Sequence, residues 1–500
     1  MAIDSRLAMW VFFQDRGDLT IRLEDAQLTD RALQRRARRG EFNDRSLHRG
    51  MVLSARDMPV EPAYVAAIQA LGARVRVTSR WLNAVSVDVD RHHADVIAGL
   101  PFVDHVQPVR AAPRAPTAEL PVDGGLAGGD YGAATAQTLQ MDLAALHARG
   151  FSGQGVVVGI LDTGFNRVHE AFASAAHPLN VLAEYDFIND DSNTGIEVGD
   201  PESQHRHGTW ILGTMASYLP GQLVGAAYSA SFVLAKTENV ASETPVEEDY
   251  YVAGLEFVEA QGADLATSSL GYFDWYASED LDGSTAVTTI AVNIATANGL
   301  VCLTAAGNGG HDDNPSTHHL GAPADALQVI TCGAVDELGE TADFSSDGPT
   351  ADGRVKPEIL ARGVATATVN STQPTGLSGV SGTSLSTPLV AGAVACVLQA
   401  RTDYSVSGLR EALIATATES ASGPDPLFIR GFGLIQADAV ARHGRSIADI
   451  DLDGEVDASD LAVLLGAWGS CGDCAACPFD LNGDCGVDAA DLAILLGDWG

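Results

Sequence analysis

Five segments between residues 156 and 335 are apolar almost without interruption, and helical segments separate them. They read VVVGILD, ASFVLAKT, ADLATSSLG, GLVCLTAAGN and LQVITCGAV. A strand that is apolar on both sides must be covered on both faces, as strands of a parallel sheet are. The alternation therefore predicts an α/β domain with a doubly wound parallel sheet and right-handed crossovers. In such sheets, functional residues gather beyond the carboxyl ends of the strands.

The charge distribution divides the 500-residue chain, which is longer than one hydrophobic core usually organises. Residues 1–120 carry 17 arginines, no lysine and 15 acidic residues, whereas residues 121–446 carry 12 basic and 39 acidic residues. Residues 447–500 carry 12 acidic residues and no basic one. We predict four parts: a small α+β domain at 1–110, a linker rich in Ala, Pro and Gly at 111–130, the α/β domain at 131–446 and a small helical domain at 447–500.

The first hundred residues predict the element order β-α-β-β-α-β. Strands are expected at WVFFQDRG, ARVRVTSR, NAVSVDV and VDHVQPV, because their apolar residues alternate. Helices are expected near 29–39, at 63–71 and at RHHADVIAGL.

The net charge of −37 excludes some partners. A nucleic-acid or anionic-membrane partner requires a basic face, so neither is expected. No stretch approaches the roughly 18 uninterrupted apolar residues that span a bilayer, so no membrane span is expected. The start, MAIDSRLAMWVFF, shows no signal peptide. A removed leader, an unusual export route and an intracellular location therefore all stay open.

Four short motifs place polar side chains at the predicted active edge of the sheet. Asp162 of D-T-G ends the strand VVVGILD, and His207 of H-G-T opens a helical stretch. Asn308 closes GLVCLTAAGN, and Ser384 stands where a Gly-rich turn enters an apolar helix, with Pro388 in its first turn. Free N–H groups at that helix start favour a nearby negative oxygen. Alone, the aspartate motif predicts only a turn, and the histidine motif only a helix start.

Together, D-T-G, H-G-T, A-A-G-N and G-T-S-x-S-x-P resemble the signatures of the subtilase (subtilisin-like) family. They occur in that order, 45, 101 and 76 residues apart, and the resemblance covers about residues 131–445. It implies a serine endopeptidase in which Asp162, His207 and Ser384 form a catalytic triad. The side-chain amide of Asn308 and the backbone N–H of Ser384 would then bind the oxyanion.

The same resemblance implies a substrate-binding strand, Ser269-Leu270-Gly271, that pairs with an extended peptide, and further substrate contacts at Ala306 and Gly307. Alternatively, 269–271 is only a core strand. The expected partners are proteins and peptides, and we expect a monomer in an extracellular or cell-surface location. The alternative function is a catalytically silent binding or adhesion protein on a subtilase scaffold.

Two details depart from the family pattern or compete with it. The chain has Ala361-Arg362-Gly363 where the family usually has A-P-G, which puts the local loop shape in doubt. His205 lies two residues before His207 and is a second candidate base, but it lacks the following Gly-Thr.

Residues 70–109 resemble the end of a subtilase prodomain. This resemblance implies a zymogen that cleaves itself within 110–132, although the bond is not readable from the sequence. A slightly basic segment before a strongly acidic domain can be held electrostatically. The alternative is a permanent accessory domain.

The tail contains a duplicated acidic loop, and each copy precedes the same apolar phrase, LAVLLGAWG or LAILLGDWG, 31 residues apart. Oxygen ligands at loop positions 1, 3, 5, 9 and 12 suit calcium. The duplication resembles a dockerin-type domain, which implies a cohesin-like or cell-surface partner. The alternative is an acidic solvated tail. The predicted ligands are Asp449, Asp451, Asp453, Asp457, Asp460, Asp480, Asn482, Asp484, Asp488 and Asp491.

The seven cysteines form two groups. Cys302, Cys332 and Cys396 sit singly in apolar runs and are expected to be buried. The tail holds Cys471, Cys474, Cys477 and Cys485, an even set that could form two disulfides in three connectivities. A zinc site is the alternative.

Overall fold

The computed structural model describes residues 6–18, 20–40, 52–109, 118–120, 130–240, 246–273, 276–471 and 477–500. Most of the predicted linker, and Cys474, therefore lie outside the described residues.

The N-terminal domain has the predicted element order, with an additional short helix after the first strand. Its antiparallel sheet has the order β2-β3-β1-β4. The strands are β1 Arg6–Phe13, β2 Arg74–Ser79, β3 Ala84–Asp90 and β4 Val103–Pro108. The helices are α1 Leu23–Ala26, α2 Asp30–Arg39, α3 Pro62–Ala70 and α4 Arg91–Ala98.

The period-two pattern of β1 serves two interfaces. Met9, Val11 and Phe13 pack into the core of the N-terminal domain. Trp10, on the opposite face, packs with Val287 of the central domain. Because successive side chains of a strand point to opposite faces, one sheet both closes its own core and docks on its neighbour.

The central domain is built on seven parallel strands in the order β14-β13-β12-β11-β6-β10-β7, as the predicted doubly wound α/β fold requires. Its helices are α5 Thr135–Gln140, α6 Leu143–Ala148, α7 Arg206–Ala216, α8 Val246–Ala260, α9 Val287–Ala297, α10 Thr383–Ala400, α11 Val406–Thr416 and α12 Ala437–Arg442. Its strands are β5 Ala118–Leu120, β6 Val157–Asp162, β7 Asn180–Asp186, β8 Tyr218–Leu219, β9 Leu223–Val224, β10 Ser231–Lys236, β11 Leu265–Ser268, β12 Val301–Ala305, β13 Ile330–Val335, β14 Ile359–Arg362, β15 Thr366–Val369 and β16 Leu377–Ser381. Single 3₁₀ turns occur at Ala55–Asp57, Glu170–Phe172, Ser278–Asp280 and Ser420–Ser422.

Helices cover both faces of this sheet, which explains why its strands are apolar throughout. Val158 and Ile160 of β6 belong to the core shared with α7 and α10. Val157 and Leu161 face α8 and α9. Between them, a Cβ at Gly159 would lie 2.0 Å from Val258 Cγ1, so glycine lets α8 approach the sheet closely.

Within the described residues, one helix is long and apolar enough to cross a bilayer. It is α10, and 89% of its apolar window is buried inside the protein. The helix therefore reads as the central core helix of the domain. The buried single cysteines are confirmed, since Cys302, Cys332 and Cys396 are free and enclosed.

A buried ion cluster joins the N-terminal domain to α8. Arg35 and Arg36 of α2 both bind the Glu259 carboxylate, and Arg36 Nη1 also donates to Asp57 Oδ1 at 2.7 Å. The side chains of Arg35, Arg36 and Glu259 are at most 1% exposed. One helical turn away, burial raises the pKa of Glu256 to about 7. Arg-rich α2 is thus a docking element.

The tail consists of α13 Ala458–Gly466, α14 Ala489–Gly497 and the short strands β17 Gly469–Ser470 and β18 Gly486–Val487. Arg149 of the central domain fastens it: Nη1 donates to Ile450 O and Nη2 to Pro478 O, both at 2.8 Å. Cys471 and Cys477 form a disulfide, and Cys485 is also disulfide-bonded. These three cysteines are therefore not thiolate ligands, so the zinc alternative is wrong for them.

Candidate active site

The structure joins Asp162 to His207. Asp162 is the last residue of β6 and is fully buried, and His207 is the second residue of α7. His207 Nδ1 lies 2.7 Å from Asp162 Oδ1 and 3.0 Å from Oδ2. A carboxylate only accepts, so the ring carries its proton on Nδ1, and Nε2 of the neutral ring is an acceptor. The imidazole is thereby fixed in the tautomer that a general base requires.

Glycines allow these two elements to meet. A Cβ at Gly208 would lie 2.3 Å from Gly164 O, so the D-T-G turn and the start of α7 touch through their backbones. Gly164 also has φ +118°, where a side chain is strained. Gly208 N donates to Thr163 Oγ1 at 3.2 Å. The glycines of both motifs therefore serve the close approach of histidine and aspartate.

Ser384 is fastened to the neighbouring strand end. Its Oγ lies 3.4 Å from Ser269 O, and Ser269 Oγ donates to Ser384 O at 2.8 Å. Strand β11 pairs with β6 so that Ser268 lies beside Leu161, which sets Ser269 next to Asp162. Paired strands lie about 4.8 Å apart. The structure thus brings Asp162, His207 and Ser384 to two adjacent strand ends at the carboxyl edge of the sheet.

Asn308 follows β12 and contacts the start of α10. Its Oδ1 lies 2.9 Å from Thr383 N and 3.0 Å from Thr383 Oγ1. A backbone N–H can only donate, so the amide atom facing it must be the oxygen. The NH₂ group of Asn308 is therefore turned away from Thr383.

The predicted substrate-binding residues follow the ends of β11 and β12. Ser269, Leu270 and Gly271 continue β11, and Ala306 and Gly307 continue β12. The side chains of Leu270 and Ala306 are buried, at 6% and 0% exposure. At these two positions, only the backbone can face a substrate.

The competing histidine is engaged elsewhere. His205 Nε2 lies 2.8 Å from Gly195 O and 3.1 Å from Asp200 Oδ2, and the side chain is buried rather than at a cleft rim. Burial lowers the pKa of His205. At the unusual Arg362, β14 simply runs on into Gly363, whose N–H donates to Val335 O at 2.8 Å.

Comparison with known proteins assigns the chain. Residues 153–433, more than half of it, match the family model of the subtilase family. The chain belongs to the subtilase family. Residues 8–119 also match the Peptidase S8 propeptide domain of Bacteroidota. We therefore assign this subtilase as a subtilisin-like serine endopeptidase.

Curated relatives support the assignment. Subtilisin from Bacillus pumilus is 31% identical over 307 residues, which are 61% of this chain and 97% of that protein. Subtilisin DY from Bacillus licheniformis is 33% identical over 300 residues, 59% of this chain and 94% of that one. Fervidolysin from Fervidobacterium pennivorans, a keratinolytic enzyme related to subtilisin, has a TM-score of 0.58 at 20% identity. That match covers 87% of this subtilase and 61% of fervidolysin, and shows the fold alone.

The first tail loop has the donors that a hard cation needs. Asp449, Asp451 and Asp453 each offer an oxygen within 4.8 Å of the others. Asp449 is 1% exposed, and neither of its carboxylate oxygens accepts a hydrogen bond from the described residues. Asp460 closes the loop by accepting from Ile450 N at 2.6 Å and Asp457 N at 2.8 Å. A buried carboxylate without hydrogen bonds fits a cation ligand.

The second loop differs at the equivalent position. Asp480 accepts from Gly483 N at 2.8 Å and from Cys485 N at 2.7 Å, so the loop's own backbone satisfies its carboxylate. Cys485 stands where the first loop has Gly454 and adopts φ +70°. The remaining predicted ligands are Asn482, Asp484, Asp488 and Asp491, of which Asp491 closes the loop as Asp460 does.

A third acidic cluster lies in the central domain, at Asp186, Asp191 and Glu197. Asp186 already binds Lys236 Nζ at 2.8 Å and accepts from Ile188 N at 2.7 Å. Its partners inside the protein account for this cluster.

Proposed function

We propose that this subtilase hydrolyses peptide bonds through an acyl-enzyme formed on Ser384. The observation that carries the proposal is the pair of adjacent strand ends, one holding His207 through Asp162 and the other holding Ser384 through Ser269. A serine hydroxyl is a weak nucleophile at neutral pH, so it needs a base within reach.

The steps follow from this arrangement. Ser384 Oγ bonds to the carbonyl carbon while its proton passes to His207 Nε2, and Asp162 stabilises the imidazolium. The C–N bond then breaks, and His207 returns the proton to the leaving amine. Water repeats the sequence: it loses a proton to His207, attacks the ester carbon and releases the acid with Ser384 restored.

Labelling tests this function most directly. A fluorophosphonate probe should modify Ser384 of the full chain and stop casein hydrolysis, because only an activated serine reacts with it. A protein that binds casein but shows neither labelling nor hydrolysis would favour the silent-scaffold alternative.

Asn308 is proposed as the oxyanion donor, together with the N–H of Ser384. We expect Asn308→Ala to lower kcat about 10²–10³-fold, the size known for this donor in subtilisin, with little change in KM, since the oxyanion exists only after attack. Steady-state kinetics on a chromogenic peptide measure both constants. Asn180→Ala, an exposed asparagine on edge strand β7, is the control. A kcat unchanged by Asn308→Ala would contradict this role.

Self-processing is part of the proposal, with residues 1–110 as the propeptide. The support is the match to a propeptide family and the pairing of β5 with β16, in which Ala118 lies opposite Ser381, three residues before Ser384. The linker thus approaches the nucleophile. N-terminal sequencing of the product should give a new start within 110–132, whereas an unprocessed but active chain would indicate a permanent accessory domain.

We further propose export to the cell surface or medium, with protein substrates and a monomeric enzyme. The Cys471–Cys477 disulfide supports an oxidising location, and the curated relatives are subtilisins. Fractionation of the producing cells tests it.

The tail is proposed to bind calcium and to attach the enzyme to a cohesin-like or cell-surface partner. The equivalent residues Leu465 and Leu496, and Trp468 and Trp499, are 45–53% exposed. This duplicated apolar pair on α13 and α14 supports a docking role. Retention of the chain on an immobilised cohesin only in calcium would support the partner, and equal retention in chelator would contradict it.

Calcium should raise the melting temperature of the Ser384→Ala chain, and Asp449→Ala should remove most of that rise. Asp449 is buried, and its carboxylate accepts no hydrogen bond from any described residue, so an ion is expected to stabilise it, by about 2.7 kcal/mol at 100 times the dissociation constant. Differential scanning calorimetry with and without EGTA measures the effect. Glu455→Ala is the matched control, since the loop's seventh position would contribute its backbone carbonyl. An equal calcium response in both variants would contradict the site.

A further inference from the structure

Three glycines surround the ring of Phe273, a residue that the sequence motifs did not single out. A Cβ would lie 3.0 Å from the ring at Gly271, 2.6 Å at Gly307 and 2.7 Å at Gly321. The ring therefore rests against bare backbone on three sides, while 38% of the residue stays exposed. Any larger residue at these three positions would have to displace it.

The ring lies between the two segments that flank the nucleophile. Gly271 comes two residues after Ser269, which hydrogen-bonds with Ser384. Gly307 directly precedes Asn308, which contacts the start of α10. Phe273 thus fills the slot between the strand end beside Ser384 and the strand end that carries the oxyanion donor.

The backbone under Phe273 is firmly held. Tyr272 exchanges two hydrogen bonds with Ala322, at 2.9 and 3.0 Å, and its hydroxyl donates to Glu238 Oε1 at 2.8 Å. Tyr272 is 4% exposed. Because its neighbour is anchored on both backbone and side chain, Phe273 stands at a fixed place in the slot.

A bound peptide must use this slot. If its scissile carbonyl lies between Ser384 Oγ and the Asn308 amide, and its backbone follows 269–271, the side chain on the acyl side of the scissile bond enters between 269–271 and 306–308. The phenyl ring already occupies the floor of that space. Overlap with a large side chain costs far more than a small one gains.

We infer that Phe273 is a specificity-determining residue that restricts the acyl-side residue to small side chains such as alanine, glycine or serine. The inference rests on the proposed peptidase function. The chain's own processing region agrees with it, since residues 111–118 read AAPRAPTA and contain one large side chain, Arg114.

Two chromogenic peptides test the inference: succinyl-Ala-Ala-Pro-Ala-p-nitroanilide and its Phe counterpart. The unsubstituted enzyme should favour the Ala peptide in kcat/KM by about 100-fold. Phe273→Ala should raise kcat/KM for the Phe peptide about 100-fold and leave the Ala peptide within about threefold. Phe273→Leu should fall between them. Leu338→Ala, at an 80% exposed position, is the control and should keep the original ratio.

The outcomes separate the two proposals. Hydrolysis of both peptides at similar rates by the unsubstituted enzyme, or an unchanged ratio in folded Phe273→Ala and Phe273→Leu, would overturn the role of Phe273 and leave the peptidase function intact. Absence of hydrolysis and of fluorophosphonate labelling in every variant would overturn the peptidase function and the inference with it. Melting temperatures establish that each variant is folded.

Discussion

Ser384→Ala is expected to lower kcat for peptide hydrolysis by about 10⁶-fold, as removal of the serine does in subtilisin. Without Oγ, no acyl-enzyme forms, and water must attack without the covalent intermediate. The oxyanion donors and the substrate-binding strand stay, so a small rate above the uncatalysed reaction remains. The same variant should remain unprocessed, which a shift in mass on gel electrophoresis would reveal.

Measurement requires initial rates on a chromogenic peptide and an inhibitor-treated blank, because traces of a contaminating protease would otherwise mask the loss. Ser407→Ala on α11 is a matched serine control and should retain full activity. Residual activity of Ser384→Ala above about one part in a thousand, sensitive to fluorophosphonate, would point to a different nucleophile.

Glu259→Ala should weaken the docking of the N-terminal domain by about 3–5 kcal/mol. Arg35 and Arg36 share this carboxylate, and both arginine side chains are fully buried. Arg36 keeps Asp57, but Arg35 would keep only two backbone carbonyl partners, Glu259 O and Ala263 O. An unpaired buried charge is costly, so α2 should separate from α8 more readily.

Hydrogen exchange of the α2 amides, in the unprocessed Ser384→Ala background, measures this change. Exchange should accelerate about 10²–10³-fold if these amides open with the interface. Glu202→Ala is the control, because Glu202 faces Arg206 at 3.4 Å with an 89% exposed side chain, and exposed pairs contribute little. Equal exchange in both variants would show that the cluster does not hold the domain.

The sequence by itself predicted the parallel α/β sheet, the N-terminal element order and the positions of the candidate site residues. Strands buried on both faces must be apolar, and the ends of parallel strands share one edge, so Asp162, Asn308 and Ser384 could be assigned to that edge from local patterns alone. The acidic loops of the tail were equally visible, since their oxygen ligands recur at fixed spacing within 12 residues.

Tertiary structure alone decided which distant side chains meet. Phe273 follows a recognisable strand, but only the approach of Gly307 and Gly321 from other segments shows that its ring fills the slot beside Ser384. The arginines of α2 read as an ordinary solvated face until Glu259 is seen between them. The physical reason is that periodicity reports which face of an element is buried, whereas the identity of the covering element depends on contacts across hundreds of residues.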